Sequence, residues 1–198
     1  MDKELSDIVF HGREERNIEY KSSVSWNDAK TKAKITKCIL AMSNIRDGGY
    51  LIIGDEDKTF NPIGMTNEDF DSFNQDDLNS HIANFADPFV DITVYSQEHE
   101  GRKFIIIRIN EFHEIPIICK KNGDENLKAA SVYTRPRQKY ESSVISSQTE
   151  MREIIDMAIN KALRNFQEKA TIAGFLEDSK TGALKNSKKE FDKQLGNL

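Results

Sequence analysis

The chain has 198 residues and a formal net charge of −5, length enough to bury a real core in one domain. An acidic balance excludes a protein that coats nucleic acid by charge alone, because such binding needs basic surface to displace counterions from phosphates. Any nucleic-acid site must therefore be a local basic patch. Cys38 and Cys119 are the two cysteines; each lies inside an apolar pattern and reads as a buried thiol in a reducing, cytoplasmic setting. Met1 to Leu5 has no signal-peptide character, and the most apolar run, Phe104 to Ile109, is short and carries Arg108, so no membrane association is expected.

In chain order, Ile18 to Ser22 alternates, with Ile18 and Tyr20 on one face and Glu19 and Lys21 on the other, which predicts a half-buried strand. From Asp28 to Arg46, Ile35, Cys38, Ile39 and Met42 recur at helical spacing, with Lys30, Lys34 and Lys37 on the opposite, solvated face. Asp47-Gly48-Gly49 tolerates positive φ at a helix end, and Tyr50 to Ile53 follows as a strand buried on both faces. Leu78, Ile82 and Phe85 predict a second helix before Pro88. Val90 to Val94 and Phe104 to Ile109 form an antiparallel hairpin around Glu98 to Gly101. Ile115 to Lys121 and Ser131 to Arg135 give two further strands, and Ser147 with Glu150 opens a last helix as a capping box. That helix carries the apolar stripe Ile154, Ile155, Ala158, Ile159, Ala162, Leu163 and Phe166, suited to packing on the sheet or on a second subunit.

The expectation is one α+β domain over residues 1–170: a mixed sheet opened by a strand-helix-strand unit, with antiparallel hairpins and a C-terminal amphipathic helix. A polar, lysine-rich tail, mobile or weakly helical, follows over residues 171–198.

The chemistry-bearing residues are Glu14, Glu19 and Lys21 around the first strand and the acidic run Asp55-Glu56-Asp57 after the second. Carboxylates so placed can hold a divalent cation beside a phosphate, with the lysine adding positive charge. The plainer alternative is that Glu19 and Lys21 pair across one strand face while Asp57 caps a turn. Lys120, Lys121, Arg135, Arg137 and Lys139 cluster about two strand ends with Tyr133 and Tyr140 interleaved, a composition that can track a phosphate backbone and stack unpaired bases. The four histidines share no metal-ligand spacing.

On Glu14, Ile18-Glu19-Tyr20-Lys21, Ala41-Met42-Ser43-Asn44, Gly48-Gly49-Tyr50-Leu51-Ile52-Ile53-Gly54 and Asp57, and again on Ile115-Pro116-Ile117 and Val132-Tyr133-Thr134-Arg135, the chain resembles the AlbA-type domain of the Schlafen family. The resemblance covers about Glu14 to Ile155. Members that cut transfer and ribosomal RNA use three carboxylates, and Glu14, Glu19 and Asp57 match those positions. Two departures stand out: Asp55 where the family has an apolar residue after Gly54, and Arg135-Pro136-Arg137-Gln138 where an arginine-glycine-serine pattern is common. The resemblance implies an endoribonuclease site using Mg²⁺ or Mn²⁺, with transfer-RNA-like RNA or DNA as partner. It also implies a homodimer, since the animal enzymes carry two such lobes and this chain has length for one. The sequence has no GxxxxGK[ST] run, so no nucleotide cofactor is expected. The rival functions are a non-catalytic DNA- or RNA-binding module and an interaction subunit of a bacterial defence assembly.

Overall fold

Near-continuous apolar runs build the two central strands of the sheet, and alternation of apolar and polar residues builds its first strand. The structure is a computed structural model and describes residues 3–56 and 59–174. Strands β1 (Ile18–Lys21), β2 (Gly49–Ile53), β4 (Ile92–His99) and β5 (Arg102–Ile109) form a four-stranded sheet in the order β1-β2-β5-β4. β1 and β2 are parallel, linked by helix α2 (Ala29–Met42), and the remaining pairs are antiparallel. The β4–β5 hairpin is longer than its apolar cores suggest. Its pairing runs to His99 opposite Arg102, leaving Glu100 (φ 51°) and Gly101 (φ 74°) as a two-residue turn with both residues left-handed, the geometry that matches strand twist.

Tyr20, Ile52, Phe104 and Ile106 pack with Leu5 and Val9 of a first helix, α1 (Lys3–Val9), that the sequence patterns did not predict. The Tyr20 hydroxyl donates to the Ile8 carbonyl at 2.9 Å and ties this helix to β1. Leu51, Ile53, Ile105 and Ile107, of opposite parity, are also fully buried, so β2 and β5 are covered on both faces. α2 starts at an Asp28 cap that accepts the Thr31 N–H, the usual repair of a helix start. Two short helices follow β2: α3 (Asn67–Asp71), and α4 (Gln75–Ala83) at the site of the predicted second helix.

The two late strands do not join this sheet. Ala86–Asp87 (β3) pairs with Ile118–Cys119 (β6), and Tyr133–Thr134 (β7) with Ser143–Val144 (β8), as separate ribbons. Asn44 is the physical reason. Its buried side chain accepts the Ile117 N–H at 2.8 Å and donates to the carbonyls of Ile117 (2.9 Å) and Tyr133 (3.0 Å). The backbone groups of Ile117 are thus held by a side chain just beyond α2, while those of Cys119 and Lys120 are taken by Ser131, Ala130 and Phe85.

The chain divides into two compact units, residues 1–157 and 158–198, with the division inside helix α5 (Gln148–Ile172). In the first unit Ile154 and Met157 are buried and Ile155 is exposed; in the second, Ile159, Leu163 and Phe166 are exposed. The polar tail beyond Gly174 lies outside the described residues. Among the described residues no helix is long and apolar enough to cross a membrane.

Gly48 and Gly49 do more than stop a helix, because α2 already ends at Met42 with Ser43 as its cap. Gly48 has φ 65°, and a Cβ there would lie 2.0 Å from the Ile109 carbonyl; one on Gly49 would lie 2.5 Å from the Asn17 carbonyl. The start of β2 is therefore wedged between β1 and β5. Gly48→Ala is expected to lower the unfolding free energy by more than about 3 kcal/mol, through backbone strain plus displacement. Gly101→Ala, with nothing within 4 Å of its Cβ, is expected to lose only about 1–2 kcal/mol from the left-handed φ. Urea unfolding of both variants checks this, and equal losses would contradict the wedge.

Candidate functional site

Strand alternation sends Glu19 and Lys21 to the face opposite Tyr20, as the pattern predicts. Lys21 Nζ lies 2.5 Å from Glu19 Oε1. The other carboxylate oxygen, Oε2, accepts from Nη1 of Arg135, a guanidinium with no exposed surface. Burial acts to raise the Glu19 pKa, but the charges of Lys21 and Arg135, with hydrogen bonds from Lys21 and Cys38, hold it below the usual carboxylate value. The neighbouring Cys38 thiol is pushed up, first by burial and then by the Glu19 charge. Arg135 Nη2 also donates to the carbonyls of Tyr140 (2.9 Å) and Glu15 (3.3 Å). One buried arginine thus joins the end of β7 to β1 and to the 136–142 loop.

Glu19 and Lys21 lie on the wall of a cavity of about 490 Å³. Glu14, Glu19 and Lys21 line it together with Lys34 and Lys37 of α2, Glu125, and Lys139 to Ser142. The sequence-predicted carboxylates Glu14 and Glu19 are therefore brought to one cavity with Lys21, and Lys139 joins them. Asp57 lies outside the described residues. Lys34 and Lys37, expected on a solvated face, belong to the cavity wall; Lys37 Nζ donates to the Glu125 carbonyl. Their three-residue spacing on the helix carried no hint of the loop that would close over them. Among the described residues no group of three or more His, Cys, Asp or Glu side chains is placed to hold a metal ion.

The expected nucleic-acid cluster is divided. Tyr133 and Arg135 are buried, at 1% and 0% exposure, and offer no surface to a ligand. The Tyr133 hydroxyl bridges the Asn126 carbonyl and the Lys128 N–H, and Arg135 is committed to Glu19. Lys120 Nζ donates to the Ala83 carbonyl at 2.8 Å, and Lys121 sits over the Phe85 ring; neither lines the cavity. Arg137 and Lys139 stay at the surface, paired with Glu153 and Glu141.

Three arginines that spacing did not bring together form a second cavity of about 410 Å³, lined by Arg16, Arg46, Arg137, Tyr140 and Glu153. Arg16 grips Glu153 with both terminal nitrogens, at 2.7 and 3.0 Å, and donates through Nε to the Arg135 carbonyl at 2.6 Å. Hydrogen bonding from Arg16 leads the causes that hold Glu153 below its ordinary pKa.

Asp55 and Glu56, alternative ligands by position, do not line the first cavity. Glu56 accepts the Thr59 hydroxyl at 2.5 Å. Asp55 is fully buried with neither carboxylate oxygen hydrogen-bonded among the described residues, while its N–H and that of Gly54 both donate to the Lys21 carbonyl.

The fold is thus an α+β domain in which two glutamates and a lysine open on a cavity of balanced charge. The chain belongs to the Schlafen AlbA family: the profile described as Schlafen, AlbA_2 matches residues 14–143. It is 29% identical over 143 residues to the uncharacterized ATP-binding protein UU034 of Ureaplasma parvum serovar 3, a match covering 65% of this chain and 39% of that protein. Its fold is similar to the DIP2311 protein of Corynebacterium diphtheriae, with a TM-score of 0.51 at 17% identity, over 75% of this chain and 27% of that one. The N-terminal domain of a RecG-related protein from Nitrosomonas europaea also matches, over 64% of this chain and 85% of that domain, at 22% identity and a TM-score of 0.44.

Burial raises the Asp55 pKa to about 7, against a smaller opposing pull from Arg102. The folded protein therefore binds this proton more tightly than the unfolded chain. The contribution of Asp55 to stability falls as pH rises from about 4 to about 7 and levels off above, by up to about 4 kcal/mol, whatever the other carboxylates add. Asp55→Asn removes the ionisation, so its gain over wild type should be larger at pH 8 than at pH 5 when urea midpoints are compared. A gain independent of pH would show that Asp55 is paired when ionised.

Proposed function

We propose that the chain is a nucleic-acid-binding domain with divalent-metal-dependent endoribonuclease activity on structured RNA such as transfer RNA. The observation that carries this reading is the convergence of Glu14, Glu19 and Lys21 on one cavity walled by Lys34, Lys37 and Lys139. Carboxylate oxygens are the hard donors that Mg²⁺ and Mn²⁺ prefer, and the donors present fit such an ion in kind: Glu14 and Glu19 would hold it, joined by Asp57 on the family correspondence. The bound ion would activate a water or ribose hydroxyl and offset charge on the scissile phosphate. The chain's own contribution is electrostatic. Lys21 and Arg135 keep Glu19 ionised, and Lys34 and Lys37 offer positive charge to a phosphate placed beside the carboxylates.

One observation favours a second reading, a module that binds RNA or DNA without cutting it. Both oxygens of Glu19 are already engaged by cations, as in a carboxylate with a structural role. The Ureaplasma relative is described as ATP-binding, but the absence of a GxxxxGK[ST] run leaves ATP without the usual phosphate cradle here, and no nucleotide cofactor is proposed. Free, buried Cys38 and Cys119 suit a reducing cytoplasm. A homodimer forms part of the reading, supported by the exposed apolar Ile159, Leu163 and Phe166 of the second unit.

The test is incubation of the purified chain with a transfer-RNA pool in Mn²⁺, Mg²⁺ or EDTA, beside Glu14→Gln, Glu19→Gln and Asp57→Ala. Discrete fragments should appear only with metal and fall at least about a hundredfold in each variant. Glu19→Gln strips a buried arginine of its counter-charge and should also lose about 3–5 kcal/mol of stability. Glu14→Gln, at an exposed position, should melt like wild type and is the cleaner probe. Intact RNA, or equal cutting by Glu14→Gln, would leave the binding module as the better account. Light scattering that shows a monomer would remove the dimer.

A further inference from the structure

The second cavity is unlike the first in charge. Its walls carry Arg16, Arg46 and Arg137 against the single carboxylate of Glu153, whereas the first cavity has four acidic and four basic side chains. Arg16 and Arg137 share Glu153, so one carboxylate offsets two guanidinium groups and an excess of positive charge remains. Arg46, exposed just past α2, has no hydrogen bond or ion pair among the described residues. Tyr140 is 44% exposed and lines both cavities. A fixed arginine pair, a third arginine available for a ligand and an exposed ring on the shared wall make a receptor for a nucleotide: guanidinium groups bind phosphate oxygens, and a tyrosine face stacks a base.

We propose that the Arg16–Arg46–Arg137 cavity binds a backbone phosphate of a single-stranded stretch of RNA, neighbouring the phosphate presented to Glu14 and Glu19, with the base between them stacked on Tyr140. The inference rests on the reading of the chain as RNA-binding and adds a single-stranded substrate segment that runs from one cavity into the other. It needs no metal, so it is separable from catalysis. Arg46 supplies the strongest contact, because the other two arginines are already shared with Glu153. Arg16 and Glu153 act as positioning residues that hold the floor of the cavity.

The experiment is fluorescence anisotropy of a labelled oligouridylate of about eight nucleotides, a length within the usual single-strand site sizes. Full-length protein is titrated in EDTA over a range of salt. Arg46→Glu and the milder Arg46→Ala should weaken binding by about tenfold or more and lower the salt slope by about one. Tyr140→Ala should weaken it about tenfold while leaving the slope unchanged. Lys30→Glu is the charge control. It is exposed near the start of α2, about 18 Å along the helix from its end at Met42 at 1.5 Å per residue, and should stay within about twofold of wild type. Thermal melting establishes that the variants are folded. If Arg46 variants bind like wild type, or Lys30→Glu weakens binding as much as Arg46→Glu, the subsite is overturned while RNA binding stands. If wild type binds no oligouridylate even at low salt but binds transfer RNA, the subsite is overturned while RNA binding stands; if it binds neither, the RNA reading falls and the subsite with it. Adenosine monophosphate, which carries one phosphate and one base, should compete better than inorganic phosphate and far more weakly than unlabelled oligouridylate; if it competes as well as the oligonucleotide, the cavity serves a mononucleotide and the proposal is lost.

Discussion

The buried pair of Glu19 and Arg135 is the constraint on which the site depends. Arg135 has no exposed surface and Glu19 very little, so neither charge is solvated by bulk water, and each is tolerable inside only because the other is there. The contact spans 116 positions in sequence and fixes β7 and its following loop against β1. Through the remaining donors of Arg135 the Tyr140 carbonyl is held as well, which places the ring between the two cavities. Arg16 then uses the Arg135 carbonyl and Glu153 to bring the start of α5 to the same place. A pair of this kind does little for net stability compared with apolar packing; what it supplies is one defined arrangement of the groups around it.

The same pair explains how an acidic chain can present anion-attracting surface. A net charge of −5 sets the distant field, but a ligand at the surface meets local charge. Lys21, Lys34 and Lys37 reach the first cavity from β1 and α2, and the arginines collect in the second. The lysines of the first cavity are balanced by four glutamates, so it is at the second, within a Debye length of about 8–10 Å, that local positive charge outweighs the average.

The sequence was most readable where one physical rule acted alone. β1, α2, β2 and the hairpin follow from apolar period, and the fold class follows with them. The sharing of one cavity by Glu14, Glu19 and Lys21 agrees with the family resemblance, although spacing could not show it. The patterns failed where a residue's partner lies far along the chain. Arg135 and Tyr133 read as basic and aromatic surface because a strand end usually is surface; only the fold reveals Glu19 facing one and the 126–128 loop facing the other. Ile115 to Lys121 read as a long strand because nothing local marks Asn44 as the group that takes the hydrogen bonds of Ile117. Lys34 and Lys37 read as solvent-facing because a helix face does not reveal what covers it. Arg16 and Arg46 carried no motif at all, and their meeting is a product of tertiary structure.

The claim that most needs a direct test is that Glu14 and Glu19 bind a divalent ion even though Glu19 already faces two cations. Mn²⁺ binding followed by electron paramagnetic resonance, in wild type and in Glu14→Gln, measures this without any RNA or turnover. The account predicts one ion per chain, bound in the micromolar to millimolar range and lost in the variant. No bound Mn²⁺ at millimolar concentration, or undiminished binding in Glu14→Gln, would contradict a metal site at these carboxylates and leave the cavity as an ion-paired surface for nucleic acid.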